Sequence, residues 1–358
     1  MTVRLRTVLG SIPIYRPGGC PEEQGEATAL KLSSNESPWA PPQSVVDAIA
    51  QAAGKLNRYP DFYKVDLVQA LAAHYGIPDE QIAVDNGSGT LLQDVVRIVA
   101  DQGDEVVFGT PSFAAYEIDV LLAGAQPVKI PLDASWTYDL DAIAEAIGPK
   151  TRLVLLCNPN NPTGTFLTTE SIRAFMQRVP DDVLVVVDEA YHEFVNLEPQ
   201  EASLALLEEF DNIMILRTFS KAFGLAGMRI GYCFSAPATI DAINKTVAEF
   251  SVSIPAQAAA RTCLEPETLA IVNERVAEIV RNREILQTLL AEADIPHVPS
   301  QSNFVILPQN PVEGFELLAR GGVICRPFDS PEGIRITVGS TEDMRRVAKA
   351  MDLTWPQL

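Results

Sequence analysis

The chain is poor in basic residues: in 358 residues, 27 lysines and arginines stand against 47 acids, a formal net charge of −20. Nucleic acids and anionic membranes both select for basic surface, so this balance argues against either as a partner. Histidine is scarce, and His74, His192 and His297 are spaced too widely to suggest a metal centre. The five cysteines (Cys20, Cys157, Cys233, Cys263 and Cys325) are odd in number and form no C-x-x-C pair. That pattern suits reduced thiols better than a disulfide framework. No apolar run reaches the length of a membrane span, and Met1-Thr-Val-Arg-Leu-Arg6 leads into no signal-like core. The expectation is a soluble, cytoplasmic protein. An anionic substrate would need arginines that create a local positive field against this acidic background.

Hydrophobic residues at 47% and charged residues at 21% are ordinary globular values, and the length allows one large and one small domain. Residues 1–43 are rich in Pro, Gly and Ser and read as an extended arm that joins the small domain. A helix is predicted from about Ser44, with Ser44 as its cap and Val45, Val46, Ile49 and Ala53 on one face. Residues 44–250 alternate amphipathic stretches, such as Leu91–Val99 and Thr169–Arg178, with short apolar runs. The predicted strands are Ile82–Val84, Glu105–Phe108, Pro127–Ile130, Leu153–Leu156, Val183–Val187, Ile213–Leu216 and Arg229–Phe234. Continuous rather than alternating apolar runs suit parallel strands buried on both faces, so the fold class is α/β with a mainly parallel sheet. From 251 to 358 the pattern changes to a long helix beginning at Pro266, followed by strands at Asn303–Leu307, Val323–Arg326 and Ile334–Val338. This predicts a smaller α+β domain.

Chemistry concentrates at the ends of the predicted strands. Asp188 closes Val-Val-Val-Asp-Glu-Ala-Tyr191, and Lys221 lies 33 residues further on in Arg217-Thr-Phe-Ser-Lys-Ala-Phe-Gly-Leu-Ala-Gly-Met-Arg229. Read separately, the acid is a helix cap and the lysine a surface residue. Together they match a pyridoxal phosphate enzyme, in which a lysine amine forms a Schiff base and an acid pairs with the pyridinium nitrogen. A dianionic phosphate needs hydroxyls, backbone N–H groups and a guanidinium to replace its water, and Thr218, Ser220 and Arg229 supply such groups. Asn86-Gly-Ser-Gly-Thr90 precedes a helix and adds backbone at Ser88 and Gly89, although most Gly-Ser-Gly turns bind nothing. Asn161, in Cys157-Asn-Pro-Asn-Asn-Pro-Thr-Gly164, and Tyr191 can donate to the ring oxygen of the cofactor. In isolation Asn161 reads as a plain Asn-Pro turn.

These motifs, in this order and spacing, resemble the fold-type I, class II aminotransferases of the histidinol-phosphate aminotransferase branch. The resemblance rests on Asn-Asn-Pro-Thr-Gly164, Asp-Glu-Ala-Tyr191, Thr-Phe-Ser-Lys-Ala-Phe-Gly-Leu-Ala-Gly227 and Gly-Ile-Arg-Ile-Thr-Val-Gly339. Ile14-Tyr15-Arg-Pro-Gly18, Leu32-Ser-Ser-Asn-Glu36 and Asn57-Arg-Tyr-Pro60 extend it over nearly the whole chain. It implies a PLP-dependent transferase fold and pyridoxal 5'-phosphate as cofactor. Lys221 would then be the Schiff-base lysine and proton shuttle, Asp188 the partner of the pyridine nitrogen, and Phe113 the aromatic stacked on the ring. Asn161 and Tyr191 would bind the ring oxygen, while Ser88, Gly89, Thr218, Ser220 and Arg229 would hold the phosphate. Tyr59 would reach the phosphate of a neighbouring subunit, which implies a homodimer with shared active sites. Arg335 reads from its strand pattern as part of a solvated face. The resemblance makes it the clamp for the substrate's acidic group, with Tyr15, Asn35 and Arg326 as further substrate-pocket residues.

The expected reaction moves an amino group from a small-molecule donor to a 2-oxo acid such as 2-oxoglutarate. The donor stays open between an aromatic L-amino acid and histidinol phosphate, because one arginine could hold a carboxylate or a phosphate. Gly89-Thr90 replaces the acidic pair common in histidinol-phosphate enzymes, and the Lys221 motif resembles phenylalanine-type aminotransferases of actinobacteria. Both features favour the aromatic donor. Decarboxylases and lyases share the fold. A non-catalytic sensor would need an added DNA-binding region, for which the short arm leaves no room.

Overall fold

The structure, a computed structural model, describes residues 3–12, 14, 18, 19, 29–329 and 332–357. Its strands, in chain order, are β1 (Leu30–Lys31), β2 (Ile82–Asp85), β3 (Glu105–Thr110), β4 (Gln126–Pro131), β5 (Thr151–Cys157) and β6 (Leu184–Asp188). They continue with β7 (Ile213–Thr218), β8 (Gly231–Ser235), β9 (Phe304–Leu307), β10 (Val323–Ile324), β11 (Arg326–Asp329) and β12 (Glu332–Thr337). Seven of them form one sheet in the order β2-β8-β7-β6-β5-β3-β4. Only β8 opposes its neighbours in this sheet; the other contacts are parallel. Leu153 to Leu156, Val185 to Val187 and Ile213 to Leu216 are all essentially inaccessible, as expected for central strands covered on both faces. Edge strand β4 is half-exposed along its length, and the mixed residues of Gln126–Pro131 suit that position.

The remaining strands form two small sheets. In one, β12 lies antiparallel between β11 and β9, and in the other the arm's β1 runs parallel to β10. A 27-residue helix, Pro266–Glu292, packs Val272, Val276, Ile279, Leu286 and Leu290 inward. Local chemistry sets several helix starts. The side chains of Asp139, Thr168 and Ser253 accept from backbone N–H groups three residues ahead, and Ser340 and Asp343 form a capping box.

Several boundaries differ from the sequence-based expectation. The first long helix is Gln43–Ala53 with Pro42 at its cap, and Ser44 Oγ instead lies 2.8 Å from Thr268 Oγ1. Val45 and Ala52 are its buried residues, whereas Val46 is 40% exposed. The helix expected from Leu91 begins at Ser88, so Ser88 and Gly89 belong to its first turn. Arg229 stands outside β8 in the left-handed region at φ 53°, which redirects its side chain away from the strand. Cys325 interrupts the run Val323–Arg326, so β10 ends before it and β11 begins after it. Arg335 does not lie on a solvated face: it is 6% exposed, and Ile334 to Val338 are buried on both sides of the strand.

One ion pair ties the two central strands that carry the chemistry. Glu189 follows Asp188 at the end of β6, and Arg217 precedes Thr218 at the end of β7. Arg217 Nε donates to Glu189 Oε2 at 2.9 Å, and its other nitrogens reach Glu201 at 3.4 Å and the Gln200 carbonyl at 3.2 Å. The guanidinium stacks on the ring of Tyr75 at 5.0 Å and carries no exposed surface. A buried charge of this kind is stable only while its partner remains. Glu189→Ala is therefore expected to lower the unfolding free energy by about 3–5 kcal/mol. Urea denaturation of the purified protein measures this, and an unchanged midpoint would count against the pair as a fastener.

Candidate active site

The carboxyl ends of β2, β3, β5, β6 and β7 open on the same side of the sheet, where ligands of open α/β folds bind. Because β8 runs antiparallel to β7, the segment 219–230 between them folds back over that edge and carries Lys221 with it. A cleft of about 310 Å³ lies there, lined by Ser88, Gly89, Phe113, Asn161, Asp188, Tyr191, Thr218, Ser220, Lys221, Arg229, Arg326 and Arg335 among others. Four cations, Lys221, Arg229, Arg326 and Arg335, face two carboxylates, Glu36 and Asp188, so the cleft is positive inside an acidic chain.

One end of the cleft has the donors that a phosphate requires. Thr218 Oγ1 and Ser220 Oγ are 3.0 Å apart, and the Ser220 N–H donates back to Thr218 Oγ1 at 3.1 Å, which fixes both hydroxyls. The helix Ser88–Val99 points its N-terminus here without a side-chain cap. Gly87, at φ 92°, has no Cβ; one built there would stand 2.7 Å from Arg229 Nη2. Gly231 is under the same constraint, since a Cβ on it would collide with the Ser88 amide. Two glycines thus let a guanidinium and a helix N-terminus converge.

The other end holds an acid. Asp188 is 6% exposed; its Oδ2 accepts from Tyr116 Oη at 2.9 Å and its Oδ1 from the Ala190 N–H at 3.2 Å. Burial pushes its carboxyl up to about 6, while these two hydrogen bonds and Lys221 pull the other way. A cationic pyridinium would complete its coordination. Between the two ends, Lys221 Nζ donates to the Ser34 carbonyl at 3.3 Å. Burial first, then the guanidinium of Arg335, lowers its ammonium from the ordinary 10.5 to about 8.

Above the lysine, β12 delivers Arg335. Its Nη2 donates to the Ser33 carbonyl at 2.9 Å, its Nη1 donates to Asn161 Oδ1, and its guanidinium lies 5.1 Å from the Phe304 ring. Asn35 Nδ2 donates to Tyr191 Oη at 3.0 Å. These contacts occupy the acceptor of Asn161 and one lone pair of Tyr191. The amide N–H₂ of Asn161 and the hydroxyl proton of Tyr191 remain to face the cleft as donors.

Most of the residues singled out from sequence meet here: Lys221, Asp188, Tyr191, Asn161, Thr218, Ser220, Arg229, Ser88, Gly89, Phe113, Arg335, Arg326 and Asn35 all line the cleft. Tyr59 does not. It is 79% exposed and stacks on Phe250 at 4.4 Å, outside the cleft of its own chain. Tyr15 lies outside the described residues. Sequence reasoning missed Tyr116, three residues after Phe113, and Phe328, whose ring is 5.5 Å from the Arg335 guanidinium. It also missed the Glu189–Arg217 pair, although both residues adjoin motif positions. Among the described residues there is no group of three metal-ligating side chains, and no helix is long and apolar enough to cross a membrane.

The arrangement fits pyridoxal 5'-phosphate: hydroxyls, helix N–H groups and a guanidinium for the phosphate, a carboxylate for the ring nitrogen, donors for the ring oxygen, and an amine between them. Such a fold and site define a pyridoxal phosphate-dependent enzyme. The chain belongs to the aminotransferase class I and II family, which it matches over residues 27–351, and it is a transaminase with this cofactor. It is 44% identical over 356 residues to an aromatic amino acid aminotransferase of Corynebacterium diphtheriae, covering 98% of this chain and 99% of that one. A namesake from Rhodococcus jostii is 44% identical over 343 residues, 95% of this chain and 92% of the other. Among solved structures, a histidinol-phosphate aminotransferase from Sinorhizobium meliloti in complex with pyridoxal 5'-phosphate superposes with a TM-score of 0.88 at 31% identity. That match covers 98% of this chain and 97% of that one.

The lowered Lys221 gives a pH signature. Its neutral fraction grows as pH rises through about 8, whereas an unperturbed lysine stays charged until about 10.5. Competitive labelling of the apoenzyme with acetic anhydride, read at Lys221 by peptide mass spectrometry, is expected to rise with a midpoint near 8. A midpoint shared with the exposed lysines would contradict the assignment.

Proposed function

We propose that the chain transfers the amino group of an aromatic L-amino acid of the phenylalanine type to 2-oxoglutarate, with Lys221 as the residue that binds the cofactor aldehyde and moves the proton. The observation that carries the proton-transfer role is the geometry of Lys221: a partly desolvated amine set between the Asp188 carboxylate and the Arg335 guanidinium. The aromatic donor is supported by relatives of that name at 42–44% identity over nearly the full chain, and by Phe113 and Phe328 lining the cleft beside the arginines.

When bound, the cofactor supplies an electron sink that stabilises negative charge at the donor's α-carbon. Ser88 and Gly89 through their backbone, Thr218 and Ser220 through hydroxyls, and Arg229 through its fork would hold the phosphate. Asp188 would hold the ring nitrogen in its protonated form, with Phe113 against the ring, and Asn161 and Tyr191 would donate to the ring oxygen. Arg335 clamps the donor's carboxylate bidentately, with Arg326 and Asn35 at its sides. With the donor held in this way, Lys221 takes the α-proton as a neutral amine, and its lowered pKa keeps a useful fraction neutral near neutral pH. Lys221 then returns that proton, one water releases the donor's carbon skeleton as a 2-oxo acid with its amino group left on the cofactor, and the second 2-oxo acid collects that group by the reverse sequence.

The domain division read from sequence supports this placement: residues 44–250 provide the cofactor groups, 251–358 provide Arg326 and Arg335, and the arm 1–43 joins the latter through β1 and β10. Tyr59, exposed on a single chain beside Phe62 and Phe250, would complete the phosphate site of a second copy, giving a homodimer. Cys157, Cys233, Cys263 and Cys325 are buried free thiols, which suits a reducing cytoplasmic location.

A second donor, histidinol phosphate, is favoured by the structural likeness to the Sinorhizobium meliloti enzyme. Single-turnover conversion of the cofactor's absorbance separates the two readings. Phenylalanine is expected to convert the holoenzyme faster than histidinol phosphate at matched concentration; the opposite order would overturn the aromatic assignment. In Lys221→Ala the fold is expected to persist, checked by circular dichroism, while turnover falls by at least about 10³-fold for loss of the acid–base group and the amine that binds the cofactor. Unchanged turnover would refute the role. Arg335→Lys keeps the charge but loses the fork, and is expected to raise KM for phenylalanine about tenfold or more.

A further inference from the structure

Tyr116 stands in the first turn of the helix Ala115–Ala123 and has no exposed surface. Its phenol donates to Asp188 Oδ2 at 2.9 Å. Its ring meets Phe113 edge-on, with centroids 5.7 Å apart and planes at 86°, and meets Phe108 on its other side at 5.9 Å. One buried residue therefore touches both the acid assigned to the ring nitrogen and the aromatic assigned to the ring face. Filling space in the core would need only a phenylalanine here. The hydroxyl has no apolar use, and its one hydrogen is committed to the carboxylate.

We propose that Tyr116 is a positioning residue for transamination: its phenol orients the Asp188 carboxylate toward the pyridine nitrogen and favours the ionised form, while its ring braces Phe113. This rests on the reading of Asp188 as the nitrogen's partner. A hydrogen bond donated to a carboxylate stabilises the charged form. Burial, then the Asp188 charge, raises the Tyr116 hydroxyl well above its ordinary range, so it remains a neutral donor at working pH. Other groups also act on Asp188. Glu189 on the same strand end raises its pKa and Lys221 lowers it, while Cys157, Tyr138 and Tyr191 lie close enough to couple with it. Among the groups acting on Asp188, Tyr116 is the one whose side chain hydrogen-bonds it directly.

The test is the affinity of the apoenzyme for pyridoxal 5'-phosphate, measured across pH by tryptophan fluorescence, with kcat and KM on the loaded enzyme alongside. In the parent, affinity falls on the acid side as Asp188 becomes protonated. In Tyr116→Phe the donor is lost and the carboxyl pKa rises, so that acid limb is expected to move up by about one pH unit. Affinity near neutrality is expected to weaken about tenfold, with kcat falling in parallel and KM little changed. Parent-like affinity together with a parent-like acid limb would overturn the proposal. Should the phenylalanine variant not fold, Tyr116→Met, which also lacks a donor, is read in the same way. Asp188→Asn separates the two levels of inference. If it keeps the parent's affinity and pH dependence, the assignment of Asp188 itself fails. If it abolishes them while Tyr116→Phe changes nothing, only the role of Tyr116 fails.

Discussion

The register between β6 and β7 is the constraint on which the site depends. Asp188 pairs across to Leu216, and the Glu189 N–H donates to the Leu216 carbonyl at 2.8 Å, so the acid's height on its strand is set against the strand that leads to Lys221. The Glu189–Arg217 pair fastens the same two strand ends with side chains, one residue beyond Asp188 and one before Thr218. A one-residue slip would turn every side chain to the opposite face and separate acid from lysine. Fully buried ion pairs add little to stability compared with apolar packing, but they penalise any arrangement that parts them. Here that penalty falls on misregistered ends of the two strands that carry the chemistry.

The antiparallel strand β8 has a second consequence. A parallel crossover after β7 would carry the chain to the opposite edge of the sheet before the next strand begins. Returning on the same edge, residues 219–230 place Lys221 in the cleft and Arg229 beside Gly87, at the N-terminus of the helix Ser88–Val99. The left-handed conformation at Arg229 and the missing Cβ of Gly87, which lies in the turn after β2, meet at the same point in space. The price of this compactness is backbone strain at a non-glycine residue, and such strain gathers where a side chain must be aimed.

The sequence disclosed the chemistry more readily than the boundaries. Asp188, Lys221 and Arg229 were legible because residue type, flanking hydroxyls and strand-end position agreed, and apolar runs such as Val185 to Val187 marked buried parallel strands correctly. Arg335 was misjudged from its pattern, since alternation with Ile334 and Ile336 looks the same whether the second face meets water or a cleft. Tyr116 was hidden for a related reason. Its partner is 72 residues away, and nothing local distinguishes a tyrosine that packs from one that donates. Ser44 shows the limit of capping rules: a good cap residue one position inside the helix finds a tertiary partner instead. Position in the fold, not residue type, decided all three.

The placement of Arg335 also bears on how the amine works through a turnover. Next to burial, its guanidinium is the largest influence lowering Lys221, and at the same time it is the group assigned to clamp the donor's carboxylate. A bound carboxylate neutralises that guanidinium and removes part of what holds the lysine's basicity down. An amine that titrates near 8 in the empty cleft would then become a stronger base once the donor is seated, when an α-proton is there to be taken. The sign is fixed by electrostatics alone: an anion added beside a cation that depresses a neighbouring ammonium must raise that ammonium's pKa. One arginine can thus select the donor's charge and adjust the base that acts on it. Arg229 lowers Lys221 as well, and the phosphate assigned to it relieves that effect in the same direction.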